Sequence, residues 1–237
     1  MWLIAEYEAA SLFSLKLSSA TASGGKTLLV PTPFAIKMAL LDAACRIQGV
    51  AVAEQEWAQI RDLQIALRPA KHVVVTNLFQ KVLKPRRGEV DLDAPDAGPF
   101  QKTIGYREYA QWVGQLGIAF QVEEQTLGDW LSDLLLNVNY LGKRGGFVQL
   151  LPPIRPSDAL TPGFVEATNV QIAFAVNGTL QVLDDCAASL TFEQVNVYNT
   201  RTKIGKERVM RQVVLPNYRL TRSSKSFSLY ERIEGNT

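Results

Sequence analysis

Gly24-Gly25-Lys26-Thr27 reads like the end of a phosphate-binding loop, in which backbone N–H groups and a lysine cradle the phosphates of a nucleotide. That motif needs a glycine five residues before Gly25, and Ala20 stands there. It also needs a helix directly after the Lys-Thr pair, with its N-terminus facing the phosphates. Here Pro31 and Pro33 hold the following residues extended, which argues against an NTPase. His72, between Lys71 and Val73, is the only histidine, and no nearby nucleophile or orienting group designates it as a general acid or base. Cys45 and Cys186 lie far apart, so with a single histidine they argue against zinc and for a reducing compartment. Asp184-Asp185 follows an apolar run and reads as a turn rather than a divalent-cation site. The residues assemble no catalytic constellation and call for no cofactor.

Basic residues are better represented. The net charge is only +2, but residues 201–237 hold nine Lys or Arg against three Asp or Glu, while residues 1–200 hold sixteen against twenty. Such asymmetry points to an anionic partner. Three clusters stand out: Lys81, Lys84, Arg86 and Arg87; Lys143 and Arg144 before Gly145-Gly146; and Arg201 to Lys225, where eight cations face Glu207 alone. Neutralising phosphates and releasing their counterions is how such clusters bind nucleic acid. Phe79, Phe100, Tyr106 and Tyr109 nearby supply rings on which unpaired bases stack.

These residues need elements to hold them. With 47% apolar and 20% charged residues, the chain suits an ordinary folded core. Residues 2–17 read as strand, and Thr32 caps a helix with Pro33 at its first position and an apolar stripe of Ile36, Leu40, Ala43, Ala44 and Ile47. Gly49 stops it, and a second helical pattern runs from Glu54 to Leu63. Residues 64–83 and 104–122 are strand-rich, and between them the chain loses its apolar content and projects. Residues 125–139 form a further helix capped by Thr126, and Asn177-Gly178 marks a hairpin turn. Asn177-Gly178-Thr179 also fits a glycosylation acceptor, but nothing else suggests secretion. The start, MWLIAEYEAA, has no basic flank and carries Glu6 and Glu8, unlike a signal peptide, and no run is apolar enough to span a bilayer. A cytoplasmic α+β protein is expected, with a ferredoxin-like domain at residues 1–150 and a β-rich C-terminal extension at 151–237.

Three stretches, in order, carry a family resemblance. "LLVPTPFAIKMALLDAA" (28–44) resembles the Pro-Thr/Ser-Pro entry into the first helix of the CRISPR-associated protein 5 family. "TIGYREYAQW" (103–112) is similar to the family's strand returning from its thumb hairpin, and "YLGKRGGF" (140–147) to its turn after a central helix. The resemblance covers roughly residues 1–150. It implies an RNA-recognition-motif-like fold and a subunit of a type I CRISPR Cascade surveillance complex that caps the 5′ handle of the guide RNA. The implied partners are guide RNA, the backbone subunit, the large subunit and, through the complex, target DNA, with no membrane involved. By position the thumb spans about 78–103, with Lys81, Lys84, Arg86 and Arg87 on its stem and Glu89, Asp91, Asp93 and Asp96 at its tip. Lys26, Lys37, Arg107, Lys143 and Arg144 are further implied RNA contacts.

Two departures bear on this reading. The glycine-rich C-terminal loop of many relatives is missing. One branch of the family also cleaves guide precursors with a Tyr, Lys and His set, which His72 does not obviously reproduce. A non-catalytic role is therefore expected. The alternatives are a metal-independent endoribonuclease that processes guide precursors, or the equivalent subunit of a type III effector complex.

Overall fold

A computed structural model describes residues 1–16, 25–86, 88, 97–169, 178–196 and 202–233. The first sheet joins β1 (Trp2–Ala9), β2 (Ile65–Arg68), β5 (Leu116–Gln121), β6 (Val148–Ser157) and the short β7 (Val165–Glu166). Its order is β6-β1-β5-β2-β7, and every neighbour is antiparallel. Two helices, α1 (Pro33–Ile47) and α2 (Val50–Asp62), connect β1 to β2, and α3 (Gln125–Leu136) connects β5 to β6. Because β5 lies between β1 and β2, and β1 between β5 and β6, two β-α-β crossovers interleave in one sheet. Leu3, Ala5 and Tyr7 of β1 bury toward the helices at the two-residue strand period, while Ile4 packs with Ala66 and Ala119 on the opposite face.

Local chemistry explains the helix ends. The Thr32 hydroxyl accepts the Ala35 N–H at 3.1 Å, and Pro33 occupies the first turn, where no partner for its missing N–H is needed. The C-terminal end of α1 is closed by the Gln48 N–H on the Ala44 carbonyl, and Gly49 at φ 89° turns the chain into α2. That second helix starts four residues earlier than its sequence pattern indicates, at Val50. In α3 the expected cap is not the one used. Thr126 lies inside the first turn and its hydroxyl reaches the Glu124 carboxylate at 3.4 Å, while Asn137 ends the helix before Val138.

The second sheet, ordered β10-β11-β3-β4, contains β3 (His72–Pro85), β4 (Phe100–Val113), β10 (Tyr218–Ser223) and β11 (Phe227–Arg232). β3 and β4 pair without interruption from His72↔Val113 to Pro85↔Phe100. Val73, Val75, Ala110 and Trp112 anchor the root of this hairpin in the core. Beyond Asn77 the burial ends, and Leu78–Pro85 paired with Phe100–Arg107 projects about 25 Å at about 3.3 Å per residue. Phe79, Leu83, Ile104 and Phe100 share one face of the projection and are 71%, 64%, 64% and 52% exposed.

β8 (Thr179–Cys186) and β9 (Arg208–Leu215) form a separate ribbon that packs on α1, and α4 (Phe192–Val195) is a single turn between them. The turn expected at Asn177-Gly178 and the acceptor pattern it begins involve Asn177, which lies outside the described residues. The expected boundary near residue 150 falls within β6, and β10–β11 complete the sheet of β3 and β4, so the C-terminal third contributes to both sheets. Among the described residues no helix is long and apolar enough to cross a membrane.

Candidate nucleic-acid interface

β4 is the outermost strand of its sheet, and the chain after β1 runs along it. Phe13 exchanges backbone hydrogen bonds with Ala110 at 2.7 and 2.6 Å, and its ring stacks on Trp112 at 4.1 Å. Lys16 then bridges to Thr27, and the Glu108 N–H donates to the Gly25 carbonyl at 3.0 Å. On the other side, residues 140–147 close a tight turn: the Leu141 N–H meets the Gly146 carbonyl at 2.9 Å, and Ser11 ties down Gly145 and Phe147. Gly146 is required there by packing, since a Cβ would lie 2.8 Å from the Leu141 carbonyl and 2.9 Å from the Phe13 ring.

This arrangement gathers Lys16, Arg107 and Lys143, which are 91 or more residues apart in part of the set, around the root of the hairpin. The Lys143 ammonium is held below the ordinary lysine value, first by partial desolvation and then by the charges of Arg107 and Lys16. A cluster of like charges at this place favours a bound anion.

The other expected contacts fall in different places. Lys26 is exposed beside the Glu108 side chain, and Lys81 and Lys84 are exposed on opposite faces of the projecting hairpin. Arg86 is half-buried at the hairpin's outer end, where its N–H donates to the Pro99 carbonyl at 2.9 Å. Arg87, Glu89, Asp91, Asp93 and Asp96 lie outside the described residues. Lys143 and Arg144, adjacent in sequence, diverge: Arg144 and Asp42 both meet the Tyr140 hydroxyl, on the α1 side.

Lys37 is a correction. Its side chain is 2% exposed, and its ammonium donates to Asp185 Oδ1 at 2.7 Å, so it faces the ribbon and not solvent. Asp184 and Asp185 are correspondingly not a turn. They lie inside β8, buried, with Arg208 bonded to Asp184 and Arg211 3.8 Å from Asp185. The Arg208 guanidinium also covers the Phe34 ring at 4.3 Å. Much of the C-terminal basic segment is thus matched internally, since Arg219 also lies 3.4 Å from Glu231 and Lys206 3.6 Å from Glu207. Arg201 is outside the described residues, whereas Arg222 and Lys225 are exposed.

His72 Nε2 lies 3.6 Å from a Glu231 oxygen at the inner end of β3. Burial pushes the Cys186 thiol up to about 12, which keeps it protonated and unreactive. Among the described residues no group of three or more His, Cys, Asp or Glu could hold a metal ion.

Sequence reasoning missed a cleft of about 490 Å³ on the face of β3 and β4 opposite Arg107. Tyr106, Glu108 and Asn77 form one wall, Tyr218 and Tyr230 another, and Thr179 and Gln181 of the ribbon close it. Only the alternation within "YREY" hinted that Tyr106 and Glu108 share a side.

No family model matches the chain. A curated protein of Archaeoglobus fulgidus, named CRISPR-associated protein Cas5, is 22% identical over 219 residues, covering 91% of this chain and 92% of that protein. A crystal structure of a CRISPR protein from Archaeoglobus fulgidus has a TM-score of 0.48 at 11% identity, covering 98% of this chain and 92% of the other. A crystal structure of a Cas protein has a TM-score of 0.43 at 16% identity, covering 92% and 96%. A chain described as a CRISPR RNA-guided surveillance complex has a TM-score of 0.47 at 13% identity, covering 98% and 91%. At these scores the structural likenesses carry no argument of their own, so the sequence relationship decides: the chain is a homologue of CRISPR-associated protein Cas5, and the resemblance extends past residue 150.

Proposed function

We propose that the protein is a non-catalytic subunit of a type I CRISPR Cascade surveillance complex that holds the 5′ handle of the guide RNA. The carrying observation is the convergence of Lys16, Arg107 and Lys143 at the root of an exposed apolar hairpin, in a homologue of Cas5. The strand order supports a ferredoxin-like, RNA-recognition-motif-like core, with the hairpin inserted between β2 and β5 as a thumb. Phosphates of the handle meet the three cations, with Lys26 at the margin. The thumb's Phe79, Leu83, Phe100 and Ile104 are an exposed apolar set of the kind that marks protein contacts, and they dock the backbone subunit. Lys81 lies within that contact face and Lys84 on the opposite one, Arg86, Arg87 and Arg144 are further RNA contacts, and the large subunit lies beside the core.

The test is co-expression with the neighbouring subunits and a repeat-derived guide, followed by nucleic-acid absorbance and handle binding at several salt concentrations. Co-purified RNA with an affinity that falls steeply with salt is expected. A monomer without RNA overturns the proposal. Precursor RNA incubated with the protein should stay intact, while cleavage abolished by His72→Ala would establish the endoribonuclease instead.

A further inference from the structure

We infer that the cleft beside Glu108 holds one unpaired nucleobase by an edge that carries an amino group, preferring guanine, cytosine or adenine to uracil. The inference rests on the RNA-binding reading and specifies what this second site recognises.

Arg107 and Glu108 are consecutive on β4, so their side chains leave opposite faces of the sheet. Arg107 joins the cation cluster, and Glu108 faces the cleft. The carboxylate would repel a phosphate but accepts N–H donors. Its two oxygens are already oriented: Oε1 accepts the Tyr106 hydroxyl at 3.0 Å and Oε2 accepts the Thr27 N–H at 3.0 Å. An ionised carboxylate offers about four lone-pair positions, so these two bonds fix its orientation without filling it. The Tyr106 hydroxyl also lies 2.8 Å from Asn77 Oδ1, and its single proton serves one acceptor at a time.

The surroundings suit a base. At about 490 Å³ the cleft is within the range of small-ligand sites. Half-buried Tyr106, whose ring lies 5.0 Å from that of Phe79, and Tyr230 line the cleft and supply aromatic surface to a base. Lys26 and the second N–H of the Gln181 amide, whose first donates to the Leu180 carbonyl at 3.1 Å, offer donors to carbonyl oxygens or ring nitrogens, while the Gln181 carbonyl is held by the Leu29 N–H at 3.1 Å. A nucleotide passing over the Gly25–Thr27 segment that lines the edge of β4 would leave its phosphate on the Arg107 side and place its base beside Glu108. Guanine, cytosine and adenine present an amino group to a carboxylate. Uracil presents one imino N–H between two carbonyl oxygens, which the carboxylate opposes.

The test is fluorescence anisotropy of the full chain with labelled oligouridine and with the same oligomer carrying one central guanosine, cytidine or adenosine. The wild type should bind the amino-bearing oligomers about tenfold more tightly than oligouridine. Glu108→Gln should remove that preference, by weakening the amino-bearing oligomers, by tightening oligouridine, or both, with the melting temperature close to wild type. Equal binding of all four oligomers by the wild type, or a preference that survives Glu108→Gln, overturns the inference and leaves RNA binding intact. Failure to bind any of the four sinks both readings. Should Glu108→Gln not fold, displacement of bound RNA by free GMP but not by UMP decides the question with the wild type alone.

Discussion

Replacing Lys37 with methionine separates a structural lysine from an RNA contact. Lys37 and Asp185 are 2% and 3% exposed, and their ion pair joins α1 to β8 across 148 residues. Removing one partner of a buried pair typically costs about 3–5 kcal/mol, because the remaining charge is left uncompensated. Asp185 would keep the Cys186 N–H at 2.7 Å and Arg211 at 3.8 Å, so the lower end applies, about 3 kcal/mol. For a chain of this size each kcal/mol shifts the melting temperature by about 2–4 °C, which gives a fall of about 6–12 °C. Adding Asp185→Asn should recover part of the loss, since no lone charge then remains buried. The assay is thermal unfolding of wild type, both single variants and the double variant, alongside handle-RNA affinity at fixed salt. A melting temperature within about 2 °C of wild type would refute the reasoning, as would an affinity that drops while stability is unchanged.

Three other outcomes are expected. Lys143→Glu and Arg107→Glu should each weaken RNA binding and lower the salt dependence by about one unit of slope, with little change in melting temperature; an unchanged slope would remove the cluster from the interface. Phe79→Asp with Ile104→Asp should abolish co-purification with the backbone subunit without lowering the stability of the isolated chain, because both side chains are already exposed. Stability should also decline in alkali. Burial raises the thiol of Cys186 from 9.0 to about 12 and raises the hydroxyls of Tyr7 and Tyr218, so the unfolded chain releases protons that the folded chain retains. That contribution is complete below about pH 9 and shrinks as pH rises above it. A urea midpoint that stays flat from pH 8 to pH 11 would contradict this assignment.

What the sequence determined by itself was mainly local. The start of α1 is set by Thr32 and Pro33, whose hydrogen bond and fixed φ act within three residues. The projecting hairpin follows from an abrupt loss of apolar residues between two strand-rich stretches, and the 140–147 turn from its glycines. Each of these signals depends on neighbours along the chain. The sequence also held a clue to Lys37, since it is flanked almost all round by apolar residues from Ile36 to Ala44, and a helix apolar on most sides is buried.

The partner that makes that burial tolerable is 148 residues away and could come only from the fold. Tertiary structure likewise decided that Arg208 and Arg211 neutralise the ribbon's aspartates instead of facing solvent. It also divided Lys143 from Arg144. The physical reason is one of range. Caps and turns are fixed by backbone bonds a few residues long, whereas the charge available at a surface depends on which distant carboxylates the packing has already brought within reach. For the same reason the cation cluster and the Glu108 cleft, drawn from strands and loops far apart in sequence, are legible only once β4 has placed consecutive residues on opposite faces.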